Sequence, residues 1–163
     1  MVAMLNAKKC IICSAVIMLL VLSSADLSES SNRFILLWEE PEGDSYFLDS
    51  ESIYFEKGIY RFWYKWVWSE KTRKKMNTFG RTKKEKQDIS RVKYSMCCKE
   101  FNPSNRMAKV ISIIDYSAEG DVVFSTDYRN LTTWEYLVPG SIGESISESV
   151  LYFLQKFPDK VKN

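Results

Sequence analysis

Not one of the 163 residues is a histidine. That absence excludes Ser-His-Asp and Cys-His nucleophilic machinery, and every zinc or iron site that depends on imidazole. Cysteine is nearly as scarce. Four occur in the chain, and Cys10 and Cys13 lie near its start. The other two, Cys97 and Cys98, are sequence neighbours, which is not a metal-ligand spacing. Adjacent residues of a strand point to opposite faces, so such a pair rarely bonds to itself. Two arrangements remain open: one thiol buried with the other exposed and able to link two chains, or two thiols that are buried or free. A glycine-rich phosphate loop is also missing, and neither Asp44-Ser45 nor Glu119-Gly120-Asp121 has the spacing of a calcium loop. No cofactor is expected.

Long apolar runs are equally rare. The single one, Ile11 to Leu22, has twelve uncharged residues, short for a membrane span and right for the core of a secretory signal. Lys8 and Lys9 precede it, and Ser23-Ser24-Ala25 supplies small residues for cleavage. Residues 1–25 therefore read as a bacterial-type signal peptide cut after about Ala25, which sends the chain to the periplasm or the outer cell surface. Removing it leaves 138 residues with 21 cations and 21 acids. A mature chain of zero net charge argues against a nucleic-acid-coating protein, and no specific nucleic-acid partner is expected.

What is present is strand-like. After a polar, flexible lead-in over residues 26–32, short apolar runs alternate with turns. They are Phe34 to Trp38, Tyr46 to Leu48, Ile53 to Phe55, Ile59 to Ser69, Ile89 to Cys98, Met107 to Tyr116, Val122 to Ser125 and Trp134 to Val138. In the run from Ile59, one side carries Tyr60, Phe62, Tyr64, Trp66 and Trp68, and this period of two belongs to a strand. The aromatics read as core, with a sugar or ligand platform as the alternative. Ser141 with Glu144 three residues on has the spacing of a capping box. Ile146, Val150, Phe153, Leu154 and Phe157 then form one helical stripe, which Pro158 stops. The expected fold is α+β: a meander of six or seven antiparallel strands with one C-terminal amphipathic helix packed on it, one domain over 33–158 followed by a tail at 159–163.

Lys71 to Lys86 interrupts the strands. Eight of its sixteen residues are cationic and one is acidic, so a solvated loop or hairpin tip is expected. Arg73, Lys74, Lys75, Arg81, Lys83, Lys84 and Lys86 form a candidate grip for a sulfated polysaccharide, lipid headgroups or another polyanion. The plainer explanation is a soluble tip whose charge deters edge pairing. A carboxylate hydrolase would draw on Asp115 and Asp127, but the Asp and Glu residues lie in or beside turns, where local hydrogen bonding already accounts for them.

The order of these pieces resembles the surface-adhesin protein E family, from about Phe34 to Leu154. The matching features are Trp38, Tyr46 with Asp49 and Ser52-Ile53, then Gly58 with Arg61-Phe62-Trp63. They continue with a strand ending in Cys97 or Cys98, Tyr116 with Gly120-Asp121-Val122-Val123, and Trp134 with Pro139-Gly140-Ser141. The resemblance implies an antiparallel sheet with a docked C-terminal helix and no enzymatic activity. It also implies a binding function, adhesion to extracellular-matrix proteins such as vitronectin and laminin being what the family name conveys. In many relatives a strand cysteine is bonded to a cysteine of the final helix; here the helix Ser141 to Phe157 has none. The resemblance assigns no binding residues, because the basic loop matches no fixed family motif. The leading expectation is an exported binding protein acting through a sheet face or the basic loop. The alternative is an envelope structural or assembly factor, a homodimer joined by sheet edges or by Cys97 and Cys98.

Overall fold

The computed structural model describes residues 33–41 and 43–162. The expected signal peptide, its cleavage point and the lead-in at 26–32 lie outside the described residues. Among those described, no helix is long and apolar enough to cross a membrane.

The sheet is organised around β4 (Ile59–Val67), the aromatic strand. Phe62 is fully buried on its inner side, where Tyr60, Tyr64 and Trp66 pack against the same core. One edge of β4 takes β5 (Tyr94–Asn102), with Tyr64 opposite Cys97 and Phe62 opposite Lys99. Its other edge is shared end to end by β2 (Ser45–Asp49) and β3 (Tyr54–Glu56). Beyond β2 lies β1 (Phe34–Glu39), the outermost strand on that side. Beyond β5 comes β6 (Met107–Tyr116), whose outer edge is divided between β7 (Val122–Asp127) and β8 (Glu135–Tyr136). All these pairings are antiparallel. The sheet has eight strands, above the expected six or seven, because the short β3 and β8 pair alongside longer neighbours.

One stretch, residues 70–91, departs from the sequence expectation. The basic segment is not a loop but a helical hairpin: α1 (Glu70–Asn77) and α2 (Lys83–Arg91). Lys, Arg, Glu and Gln are good helix formers, and both N-termini are capped by side chains. Ser69 Oγ accepts the Thr72 N–H, and Thr82 forms a reciprocal capping box with Glu85. Ile89 to Arg91, read as the start of a strand, is the last turn of α2. Past Pro158, the described residues of the tail pair with the sheet. A 3₁₀ turn (Pro158–Lys160) brings Lys162 back beside β3, where its N–H donates to Ile53 O and its carbonyl accepts the Phe55 N–H, both at 2.9 Å.

The C-terminal helix α3 (Ile142–Lys156) closes the core as expected. Ile146, Val150, Phe153 and Leu154 are buried against Tyr46, Leu48, Ile53, Phe62, Phe101 and Ala108. Ser141 Oγ accepts the Glu144 N–H at 3.2 Å, while the Glu144 carboxylate takes the Gly140 N–H at 2.7 Å. The cap thus reaches one residue further out than a standard capping box. Arg106 on the β5–β6 turn pairs with both Glu144 and Glu148 of the helix. Phe157 ends the stripe half in solvent, its ring 4.9 Å from that of Phe153.

Candidate functional site

The basic hairpin leaves the sheet between β4 and β5, and one buried carboxylate fixes its root. Asp44 is 3 % exposed. Its Oδ1 accepts the Ser69 backbone N–H at 2.7 Å, and its Oδ2 accepts from Thr72 Oγ1 and Trp66 Nε1, both at 2.8 Å. Gly43, at φ +94°, adopts the left-handed conformation that brings this turn against Ser69, whose Cβ would lie 3.8 Å from a Cβ at position 43. Burial pushes the Asp44 carboxyl up, but the hydrogen bonds from Ser69, Thr72 and Trp66 outweigh it and hold the group below the usual carboxylate range. The second leg is tied by Trp68 N–H to Lys93 O at 3.1 Å and Lys93 N–H to Tyr116 O at 2.7 Å.

The tip is equally well bonded. Thr78 Oγ1 donates to Lys75 O at 2.6 Å, and the Glu85 carboxylate accepts the N–H groups of Arg81 at 2.6 Å and Thr82 at 3.1 Å. Gly80 lies so close to α2 that an added Cβ would meet Lys86 Cγ at 2.8 Å and Lys86 N at 3.1 Å. Residues 70–91 carry nine Lys and Arg against three acids. Two of those acids are matched within the hairpin, Glu70 to Lys74 and Asp88 to Arg91. The third, Glu85, is turned onto the cap. Among the described residues, Arg73, Lys75, Arg81, Lys83, Lys84 and Lys86 make no ion pair with a carboxylate. The structure thus brings all seven sequence-selected cations onto one projection of two capped helices. It adds Phe79 at the turn, 67 % exposed.

The cysteines are a different matter. Cys97 is 2 % and Cys98 3 % exposed, and both are free. The arrangement with one outward thiol ready to link two chains is therefore not the one found. β5 is a central strand of the sheet, hydrogen-bonded along one edge to β4 and along the other to β6. Burial pushes the Cys97 thiol up to about 12 and that of Cys98 up to about 11, opposite to what a reactive thiol needs.

Lys99, beside them, was not legible as a buried residue. It is 5 % exposed, and its Nζ donates to Gly143 O at 3.0 Å and Ser147 Oγ at 3.1 Å on α3. This polar tie joins β5 to the helix, the two elements that a disulfide joins in the family resemblance. Burial lowers the Lys99 ammonium to about 8.

The carboxylates are held by local partners. Asp115 accepts from Ser95 Oγ at 2.5 Å, and burial raises its pKa. Asp127 is exposed and forked onto Arg129, which lowers it to about 2. Neither faces the other across β6 and β7, since Asp115 pairs with Phe124 and Asp127 with Ser112. Among the described residues, no three His, Cys, Asp or Glu side chains gather in a way that would hold a metal.

Comparison with known proteins places this architecture. The family model for surface-adhesin protein E matches residues 34–150. The similar solved structures include protein E from non-typeable Haemophilus influenzae, at 12% identity and a TM-score of 0.47, covering 80% of this chain and 82% of that one. A second Haemophilus influenzae protein E structure aligns at 13% identity and a TM-score of 0.46, over 81% of this chain and 91% of that one. Comparison with curated proteins gives no match. The family match spans all eight strands of the sheet and runs into α3 as far as Val150, and the family is one of surface adhesins, not of enzymes. With its eight-stranded sheet, docked C-terminal helix and family match from β1 into α3, the chain belongs to the surface-adhesin protein E family.

Proposed function

We propose that this chain is an exported, non-enzymatic binding protein of the bacterial envelope, cut after about Ala25, that engages an anionic partner through the α1–α2 hairpin. Partners of the right chemistry are an acidic face of an extracellular-matrix protein, a sulfated polymer or a layer of anionic headgroups. The observation that carries this reading is the set of exposed cations without carboxylate partners on a projection whose root is fixed by Asp44. A solubilising tip does not need a buried carboxylate at its base or two capped helices. Charge on such a projection speeds encounter and selects partners of opposite sign, and its effect is screened by salt. Replacing Lys74, Lys75, Lys83 and Lys84 by Gln tests the reading. Binding to immobilised heparin and to matrix protein is expected to fall at least tenfold, and unchanged binding would remove the hairpin from consideration.

The second reading, an assembly factor of the envelope, rests on β1. This edge strand exposes Phe34, Leu36 and Trp38, and open apolar edges invite pairing. It predicts a homodimer that Trp38→Lys disperses in light scattering. A monomer in the parent chain at micromolar concentration would dismiss it.

A further inference from the structure

We propose that the tip of the α1–α2 hairpin docks on an anionic lipid bilayer, with Phe79 as the inserted apolar anchor and the surrounding cations on the headgroups. The inference rests on the hairpin being the binding element and names the partner it takes.

Three observations lead to a membrane rather than a soluble polyanion. The first is Phe79 itself. Met76 and Ile89, the other large apolar residues of the hairpin, are half-buried, whereas Phe79 stands 67 % exposed. It is not left over on a loose loop. Thr78 and Phe79 N–H groups bond back to Lys75 O and Met76 O, and Gly80 presses the turn onto α2, so the ring is presented outward by an ordered backbone. A soluble anionic polymer gives such a ring nothing to bury in, whereas the headgroup–acyl boundary does.

The second is where the positive charge sits. Lys83 and Lys84 occupy the first turn of α2, the end at which the helix dipole disfavours cations. Glu85, the one acid in that turn, is drawn onto the Arg81 and Thr82 N–H groups. Folding gains nothing from two lysines there, so the pattern calls for a reason outside the fold. A negatively charged plane facing the tip supplies one, because each Lys or Arg near such a surface adds to attraction.

The third is the combination. A single apolar group or a basic cluster alone binds membranes weakly, and stable anchoring takes two such signals. Phe79 supplies one; Lys75, Arg81, Lys83 and Lys84, bracketing it in sequence and helix position, supply the other.

The test uses the exported chain, its N-terminus fixed by mass spectrometry, as wild type, Phe79→Ala, Phe79→Trp and a Lys75→Gln/Arg81→Gln/Lys83→Gln/Lys84→Gln variant. All four share any N-terminal segment, so differences between them report on the tip. Each is sedimented with vesicles of phosphatidylglycerol and phosphatidylethanolamine, with phosphatidylcholine vesicles, and assayed separately on heparin. Expected for the wild type is binding to the phosphatidylglycerol vesicles that is much weaker on phosphatidylcholine. Phe79→Ala should lower that binding about tenfold while leaving heparin affinity unchanged. Phe79→Trp should bind at least as well as wild type and gain fluorescence quenched by brominated acyl chains. If vesicle binding is absent, or indifferent to Phe79, while heparin binding needs the four cations, the lipid inference fails and the anionic-partner reading stands. If the four-cation variant binds both probes like wild type, both fail.

Discussion

The Asp44 carboxylate accepts the Ser69 backbone N–H at 2.7 Å, across 25 residues of chain, and this contact sets where the basic hairpin leaves the sheet. Three donors converge on the one side chain. Hydrogen bonds to a charged, buried acceptor are among the stronger ones, and orphaning their donors adds a desolvation cost. Asp44→Ala is therefore expected to lower stability by about 2–4 kcal/mol in urea unfolding. Asp44→Asn, which keeps one acceptor oxygen, should lose less.

The same carboxyl gives a pH signature. Its folded pKa lies below the ordinary value of 3.8, so its contribution is present above that value and is lost as pH falls through the lower folded one. Acid unfolding of the wild type should steepen below about pH 4, and Asp44→Asn should be flatter over that range. Parallel curves for the two proteins would show that Asp44 is not held as a carboxylate.

Lys99 works in the opposite sense. Its folded pKa is lowered from 10.5 to about 8, so below pH 8 the fold bears the full cost of a buried ammonium. That penalty, about 3 kcal/mol, is relieved as pH rises from about 8 to about 10.5. Lys99→Met removes it and loses two hydrogen bonds from Nζ, while Gly143 O keeps the Ser147 hydroxyl as a donor at 2.8 Å. The stability of Lys99→Met relative to wild type should thus be highest near neutral pH and decline as pH is raised towards 10. The comparison is a difference, because the buried thiols add an opposite slope common to both proteins.

Cys97 and Cys98 should behave as inert core residues. Labelling by a thiol reagent is expected only as fast as the sheet opens, and to become complete in denaturant. Non-reducing gels should show no linked dimer, with Cys98→Ser migrating like the parent. Rapid labelling of the native chain, or a dimer lost in Cys98→Ser, would contradict their burial.

The sheet and its closing helix were legible because their signals are local and repeated. Tyr60, Phe62, Tyr64 and Trp66 alternate, and Ile146, Val150, Phe153 and Leu154 recur at helical spacing. In the hairpin the density of positive charge suggests a solvated loop, while the helix signal lies in the capping residues. Thr82 followed by Glu85 is a capping box in plain view, and Ser69 caps α1 more simply, its side chain accepting the Thr72 N–H. Ile89, an isolated apolar residue beside a strand, is ambiguous between helix and strand without that cap. Asp44 and Lys99 had no sequence signal at all. Each matters through partners 22 to 48 residues away, which only the folded chain brings together. Phe79 was hidden in a basic run, where one aromatic carries no periodicity.

The most direct measurement of the account is the salt dependence of binding to an anionic surface, read for wild type and for the Lys74, Lys75, Lys83 and Lys84 to Gln variant. Affinity of the wild type should fall steeply between about 0.05 and about 0.5 M salt as exposed charges are screened. The variant should start at least tenfold weaker and lose most of that slope. Equal affinity and equal slope for the two proteins would contradict the claim that the hairpin is the binding element.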